Sequence, residues 1–173
     1  KIAEPGKYKL TLNMMDYSYT IEPVNYDPFI YFIGSTDAWS SSDQKLALVD
    51  EDKGTYTGYV YIADPNGAGF EFKFQREQGK WEKAIDANTF VAFKGAAIGV
   101  KNGNLGVNAG EGVYYIDVNL SEGTIEATKI ESMGMVGKFQ GWDVLAPVPM
   151  TWNSEEYCFE ATNVGVTADG WKF

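Results

Sequence analysis

Three side chains in this 173-residue chain are of a type and spacing that could work on a ligand: Trp39, Lys73 and Trp81. Trp39 stands in a polar stretch after an apolar run and is followed by Ser40-Ser41-Ser42. Lys73 interrupts Phe70-Glu71-Phe72-Lys73-Phe74. Side chains alternate between faces along a strand, so the lysine points away from the phenylalanines. Trp81 comes after the next turn, between Lys80 and Glu82. An indole in a polar loop presents a flat apolar face that suits a pyranose ring, and a lysine can donate hydrogen bonds to sugar hydroxyls. A structural role fits the same pattern. Trp39 is either a platform or a plug at one end of a β-sandwich, and Lys73 is either a donor or a solvated edge residue. For Trp81, flanked by charges, the platform is the better reading.

No catalytic residue, metal or cofactor is expected beside them. The chain has no His, which removes the commonest general base and the commonest transition-metal ligand. Its 24 carboxylates include no pair that stands out, and the separations that define a glycosidase are spatial. Asp37, Asp43, Asp50, Asp52 and Asp64 fall in loops without the spacing of a calcium hand, so solvation accounts for them. The single Cys158 excludes an intrachain disulfide and, in an apparent strand, reads as a buried structural thiol. A net charge of -10 without a basic run argues against nucleic acid or an anionic membrane surface as partner. No apolar run is long enough to span a bilayer.

The elements that must carry these residues are strands. Tyr8, Leu10 and Leu12 alternate with polar residues, as do Tyr17, Tyr19 and Ile21, Tyr114, Ile116 and Val118, and Ile125 and Ala127. Phe29–Ile33 and Tyr56–Ile62 are further candidates. Asp64-Pro65-Asn66-Gly67 and Asn102-Gly103-Asn104 are turn sequences. The window Ser42–Leu48 tolerates helix but is too short to organise a fold. Short strands, frequent turns and no interleaved helices predict an all-β chain of tandem antiparallel β-sandwich modules of immunoglobulin-like or starch-binding-module-like type.

The chain also repeats itself. Ala3-Glu4-Pro5-Gly6-Lys7-Tyr8 through Asn13 recurs as Gly110-Glu111-Gly112-Val113-Tyr114 through Asn119, Phe32 through Trp39 as Met135 through Trp142, and Phe70–Phe74 as Gly170–Phe173. A module of roughly 100 residues, the usual size of a sandwich domain, therefore occurs whole once. Residues 1–23 are expected to be the closing hairpin of a preceding module, 24–130 a complete module, and 131–173 the first half of another. Half a sandwich leaves an apolar face bare. The two end segments are therefore expected to be covered, by chain outside this sequence or by each other.

Gly137-Lys138-Phe139-Gln140-Gly141-Trp142-Asp143, Pro149-Met150 and Trp171-Lys172-Phe173 resemble the pattern of starch- and glycogen-binding sandwich modules. The complete module departs from it in Gly34-Ser35-Thr36-Asp37-Ala38-Trp39 but keeps Phe72-Lys73-Phe74 and Trp81. The tandem arrangement, with closing hairpins of the type Glu4-Pro5-Gly6-Lys7-Tyr8, is similar to the SusE/SusF-type surface lipoproteins of outer-membrane polysaccharide-uptake systems. The resemblance implies a non-catalytic binder of starch, α-glucan or a related polysaccharide. It would sit at the outer-membrane surface, held there by a lipid anchor outside this chain, and serve a neighbouring glycan transporter complex. By position, Trp39 and Trp81 would be stacking rings, Lys73 a hydroxyl donor and Asn104 a polar contact; Trp142 and Lys172 would begin a second site. Two rings burying on the order of 150 Å² give roughly 4 kcal/mol before association costs, a weak single site that a tandem array would strengthen by avidity. The alternative from another class is an adhesion protein whose sandwiches present a protein-binding face and no glycan site.

Overall fold

The computed structural model describes residues 5–40, 42–67, 69–166 and 168–173; the Ala3-Glu4 start of the first repeat and Ser41 after Trp39 lie outside them. The chain is all-β and sandwich-like. Strands β1 (Tyr8–Leu12) and β2 (Tyr19–Pro23) form an antiparallel hairpin. Nine strands follow: β3 (Phe29–Gly34), β4 (Lys45–Asp50), β5 (Thr55–Ile62), β6 (Glu71–Gln75), β7 (Ala92–Lys94), β8 (Ile98–Lys101), β9 (Asn104–Val107), β10 (Gly112–Asn119) and β11 (Thr124–Lys129). They form one ladder in the order β7-β11-β10-β5-β4-β3-β6-β9-β8. The last four, β12 (Met133–Gly137), β13 (Val148–Asn153), β14 (Cys158–Glu160) and β15 (Trp171–Lys172), make a sheet ordered β14-β13-β12-β15. Among the described residues the helical content is three short 3-10 turns, Ser35–Asp37, Ala87–Thr89 and Lys138–Gln140.

The nine-stranded ladder closes over a single core. Inward residues of β3, β6 and β9 (Ile30, Phe32, Phe72, Phe74, Leu105, Val107) join those of β5, β10 and β11 (Tyr56, Val60, Tyr114, Ile116, Val118, Ile125) in one buried cluster. Phe32 stacks on Phe72 at 5.3 Å and meets Phe74 edge-on at 6.4 Å, the geometries that aromatic quadrupoles favour. Glu71, Lys73 and Gln75 take the opposite face of β6, in the phase that alternation requires. One pairing departs from the antiparallel expectation. β7 runs parallel to β11 from Thr124↔Ala92 to Glu126↔Lys94, because Val91 and Ala92 both donate to the Gly123 carbonyl as the chain crosses between layers. The helix-tolerant window becomes β4 from Lys45 onward, since Leu46 gains full burial and partners on both sides, which outweigh local propensity.

The repeats share their registers. Leu10 faces Ile21 in the hairpin as Ile116 faces Ala127 in the ladder. Met133↔Met150 matches Ile30↔Leu46, and Trp152↔Phe159 matches Leu48↔Tyr56. The burial does not follow the register. Tyr114, Ile116 and Val118 are buried, whereas Leu10, Leu12 and Tyr19 are exposed on a hairpin attached through Lys7, whose ammonium donates to Glu51 O and pairs with Asp52. Among the described residues that hairpin face stays uncovered, whereas in the last sheet Met135 is buried and Trp152 packs on Tyr61 of the ladder. Cys158 is half-buried rather than buried, at a strand end paired with Asn153. Desolvation, then the neighbouring Glu160, hold its thiol above the usual range, so it stays protonated and a poor nucleophile.

Candidate binding site

Trp39 is positioned by what ends β3. Gly34 lies against the neighbouring strand: a Cβ there would sit 2.3 Å from the Glu71 carbonyl oxygen and 2.7 Å from Phe72 Cβ. The chain then turns through Ser35–Asp37 and places Ala38 and Trp39 in the left-handed region, with φ of 49° and 63°. Two successive non-glycine residues there are costly and need external support. That support is the Trp39 N–H donating to Gly34 O at 2.8 Å, with Ser35 Oγ donating to Ala63 O at 2.7 Å and Thr36 Oγ1 accepting from Ala63 N–H at 2.9 Å. The loop is thereby pinned to the end of β5.

Trp81 rides on the excursion from β6. After Gln75 the chain leaves the ladder and returns at Ile85, which exchanges both backbone hydrogen bonds with Phe74, at 2.9 and 2.7 Å. Gln75, almost wholly buried, accepts from Gly79 N–H at 2.9 Å and holds the excursion from below. The Trp81 ring is half exposed and approaches Trp39, with ring centroids 6.4 Å apart and planes inclined at 37°.

Lys73 and Asn104 form a second pair on the same outer sheet face. β3 sets Ile33 opposite Lys73, and β9 sets Leu105 opposite Phe72, so the next rung brings Asn104 beside Lys73. The Lys73 ammonium lies 3.8 Å from Asp86 Oδ2 in a partly buried ion pair. Asp86 also accepts from Asn88 N–H through Oδ1 and so caps the 3-10 turn at Ala87–Thr89. Asn104 Nδ2 donates to Glu71 Oε2 at 2.6 Å, and Asn102 Nδ2 donates to the other oxygen of that buried carboxylate. What Asn104 has left for a ligand is its carbonyl oxygen and its second amide hydrogen; Lys73 keeps ammonium protons beyond the one facing Asp86. The two rings are in contact; Lys73 stands on β6, from which the Trp81 loop springs, and Asn104 on the neighbouring β9.

The following repeat builds the same frame. Trp142 has φ of 61°, donates its N–H to Gly137 O at 2.9 Å, and is 42% exposed. Lys172 pairs with Val136 as Lys73 pairs with Ile33. Lys138 and Asp169 close this loop with an ion pair of 2.9 Å.

A separate cleft of about 630 Å³ opens between Tyr59, Tyr61 and Val113 on one side and Met133, Trp152 and Phe159 on the other, with Asp37 and Asp43 at its margin. Tyr61 stacks on Trp152 at 5.3 Å and meets Tyr157 edge-on at 6.1 Å. Burial, then the hydrogen bond to Glu111, push its hydroxyl up to about 12. Burial likewise raises the Asp37 carboxyl, relieved only in part by Ser42. Trp152 and Phe159 hold the register of Leu48 and Tyr56, a core face in the nine-stranded unit, so this cleft is a packing seam between repeats. Sequence reading singled out neither Tyr61, hidden in the continuous apolar run of β5, nor Gln78. Gln78 links the two ring loops and has no sequence signal.

Among the described residues no group of three or more His, Cys, Asp or Glu could hold a metal ion, and no helix is long and apolar enough to cross a membrane. Comparison with curated proteins and with solved structures gives no match. A family model does match, spanning residues 28–129, from just before β3 to the end of β11. Over that span, which carries Trp39, Lys73, Trp81 and Asn104, the chain belongs to the family described as a domain of unknown function, DUF8037.

Proposed function

We propose that the chain is a non-catalytic polysaccharide binder that holds a glycan against the Trp39–Trp81 ring pair, with Lys73 and Asn104 supplying polar contacts. The observation that carries this reading is the pair itself: two indoles 6.4 Å apart on separate supported loops, one of them half exposed. A core would hide such rings, and a flat protein-binding patch would set them coplanar. Their 37° inclination suits a chain whose successive sugars turn, as in an α-glucan, better than a flat ribbon. The repeated frame at Trp142 and Lys172 supports a tandem array in which weak sites add by avidity. Placement at a cell surface, beside a glycan transporter and through a lipid anchor outside this chain, is the corresponding proposal for its setting. Affinity electrophoresis against starch, glycogen, xylan and fructan tests it. We expect retardation by starch and glycogen that Trp81→Ala removes; free migration of the unsubstituted protein through all four would overturn the reading.

A second reading rests on Tyr59 and Tyr115, whose rings meet at 5.2 Å on the outer face of β5 and β10, with Tyr59 59% exposed. Such a patch suits a protein partner. Tyr59→Ala leaves glycan retardation unchanged under the first reading, and a spacer protein would show no retardation at all.

A further inference from the structure

We infer that Gln78 is a positioning residue that clasps the two ring-bearing loops together and so sets the spacing of the Trp39–Trp81 platform. The inference builds on the reading of that pair as the binding platform and names the group that controls it. Trp39 and Trp81 come from different strand connections, β3 to β4 and β6 to Ile85. Each loop is tied to its own base: Trp39 N–H to Gly34 O, Ser40 N–H to Asp37 O, Gly79 N–H to Gln75 Oε1, and Ala84 N–H to Trp81 O. Those bonds fix each loop on the sheet and leave the gap between the loops undetermined. Gln78 crosses the gap. Its side-chain nitrogen donates to Ser42 O at 2.8 Å and to Asp43 Oδ1 at 3.1 Å, so both amide hydrogens are used; Gln78 stands three residues before Trp81, and Ser42 and Asp43 three and four residues after Trp39. One partner is a carboxylate, which makes that bond the stronger kind.

The chemistry of the clasp requires a donor. Gln78→Glu keeps size and shape but turns acceptors toward the Ser42 carbonyl and the Asp43 carboxylate, so it should push the loops apart. Gln78→Ala should merely release them. Gln78 is exposed, so neither change should affect folding.

Two readouts on the full chain test this. Tryptophans in contact give a coupled signal in far-ultraviolet circular dichroism, isolated here as the difference between the unsubstituted protein and Trp81→Phe. We expect Gln78→Ala to reduce that difference signal and Gln78→Glu to abolish it, with unchanged thermal midpoints. Titration with maltoheptaose should show affinity falling about five- to tenfold for Gln78→Ala, as for the loss of one or two hydrogen bonds, and further for Gln78→Glu. A coupled signal unchanged in both variants overturns the clasp. If the signal falls while the unsubstituted protein binds no maltoheptaose, the clasp stands and the α-glucan reading fails.

Discussion

At the scale of single residues, exposure and support separate the two indoles from the core aromatics. Phe72 and Phe74 are fully buried, while Trp81 stands half exposed on a loop whose fold is fixed by backbone bonds and Gln75. Trp81→Ala should therefore cost less than about 1 kcal/mol of stability while removing one stacking partner from the ligand, an effect worth about 1–3 kcal/mol in affinity. Urea unfolding and isothermal titration on the same variant check both halves. Lys73 differs, because its ammonium faces Asp86 from a partly buried site. Lys73→Ala should weaken binding by about 1–2 kcal/mol and also loosen the cap at Ala87–Thr89, whereas Asp86→Ala should loosen the cap and leave affinity nearly unchanged. Gly34 is constrained by space rather than by conformation, its φ of -177° being ordinary extended backbone. Gly34→Ala would drive a methyl into the Glu71 carbonyl and Phe72, costing about 1–3 kcal/mol and shifting the Trp39 loop that hangs from Gly34 O.

At the scale of elements, the outer face of β10 carries the clearest pH-dependent term. Asp117 faces Thr57 on one side and Glu126 on the other. Desolvation first, then Glu126, raise its carboxyl above the usual 3.8, with Lys94 acting in the opposite sense. A raised pKa in the fold means that ionisation costs the native state more than the unfolded chain. The stabilising contribution of the protonated form is complete below about 3.8 and is lost as pH rises through the folded value. Asp117→Asn should accordingly raise the thermal midpoint at pH 7 and make no difference near pH 3; an equal effect at both would assign the change to packing. The strands that carry this term were legible because period-two alternation is strong where one face is buried, as in Tyr114, Ile116 and Val118. Less legible were the elements made by pairing, such as β4, which local propensity left open, and the parallel β7, whose partner residues lie 32 positions away in sequence. The site was legible in part for the same reason. Loop position and strand phase mark Trp39, Lys73 and Trp81, but a lysine's ion pair with Asp86 or a glutamine bridging two loops leaves no periodic trace.

At the scale of the whole molecule, the nine-stranded ladder has its own closed core, while the flanking segments touch it through few groups. The hairpin is held by the Lys7 ammonium, which donates to Glu51 O at 3.3 Å and pairs with Asp52 at an exposed site, contacts of the kind worth little in water. The C-terminal sheet leans on Tyr61 through Trp152 and Tyr157, an aromatic contact worth about 0.5–1.5 kcal/mol per ring pair beyond the area it covers. Removing both segments strips no residue from the buried cluster of the ladder, whose members all lie between Ile30 and Ala127. Residues 24–130 alone should therefore unfold cooperatively, with a midpoint lowered by a few degrees on account of the exposed Tyr61. The same piece retains both ring loops and Gln78, so its affinity for maltoheptaose should equal that of the full chain. Affinity for long starch should fall, because the Trp142 frame would be gone and the remaining site would bind without avidity. Titrating both proteins with both ligands checks this. A drop in maltoheptaose affinity on excision would show that the neighbouring repeat contributes to the Trp39–Trp81 site itself, and equal affinity for starch would show that the Trp142 frame holds no sugar.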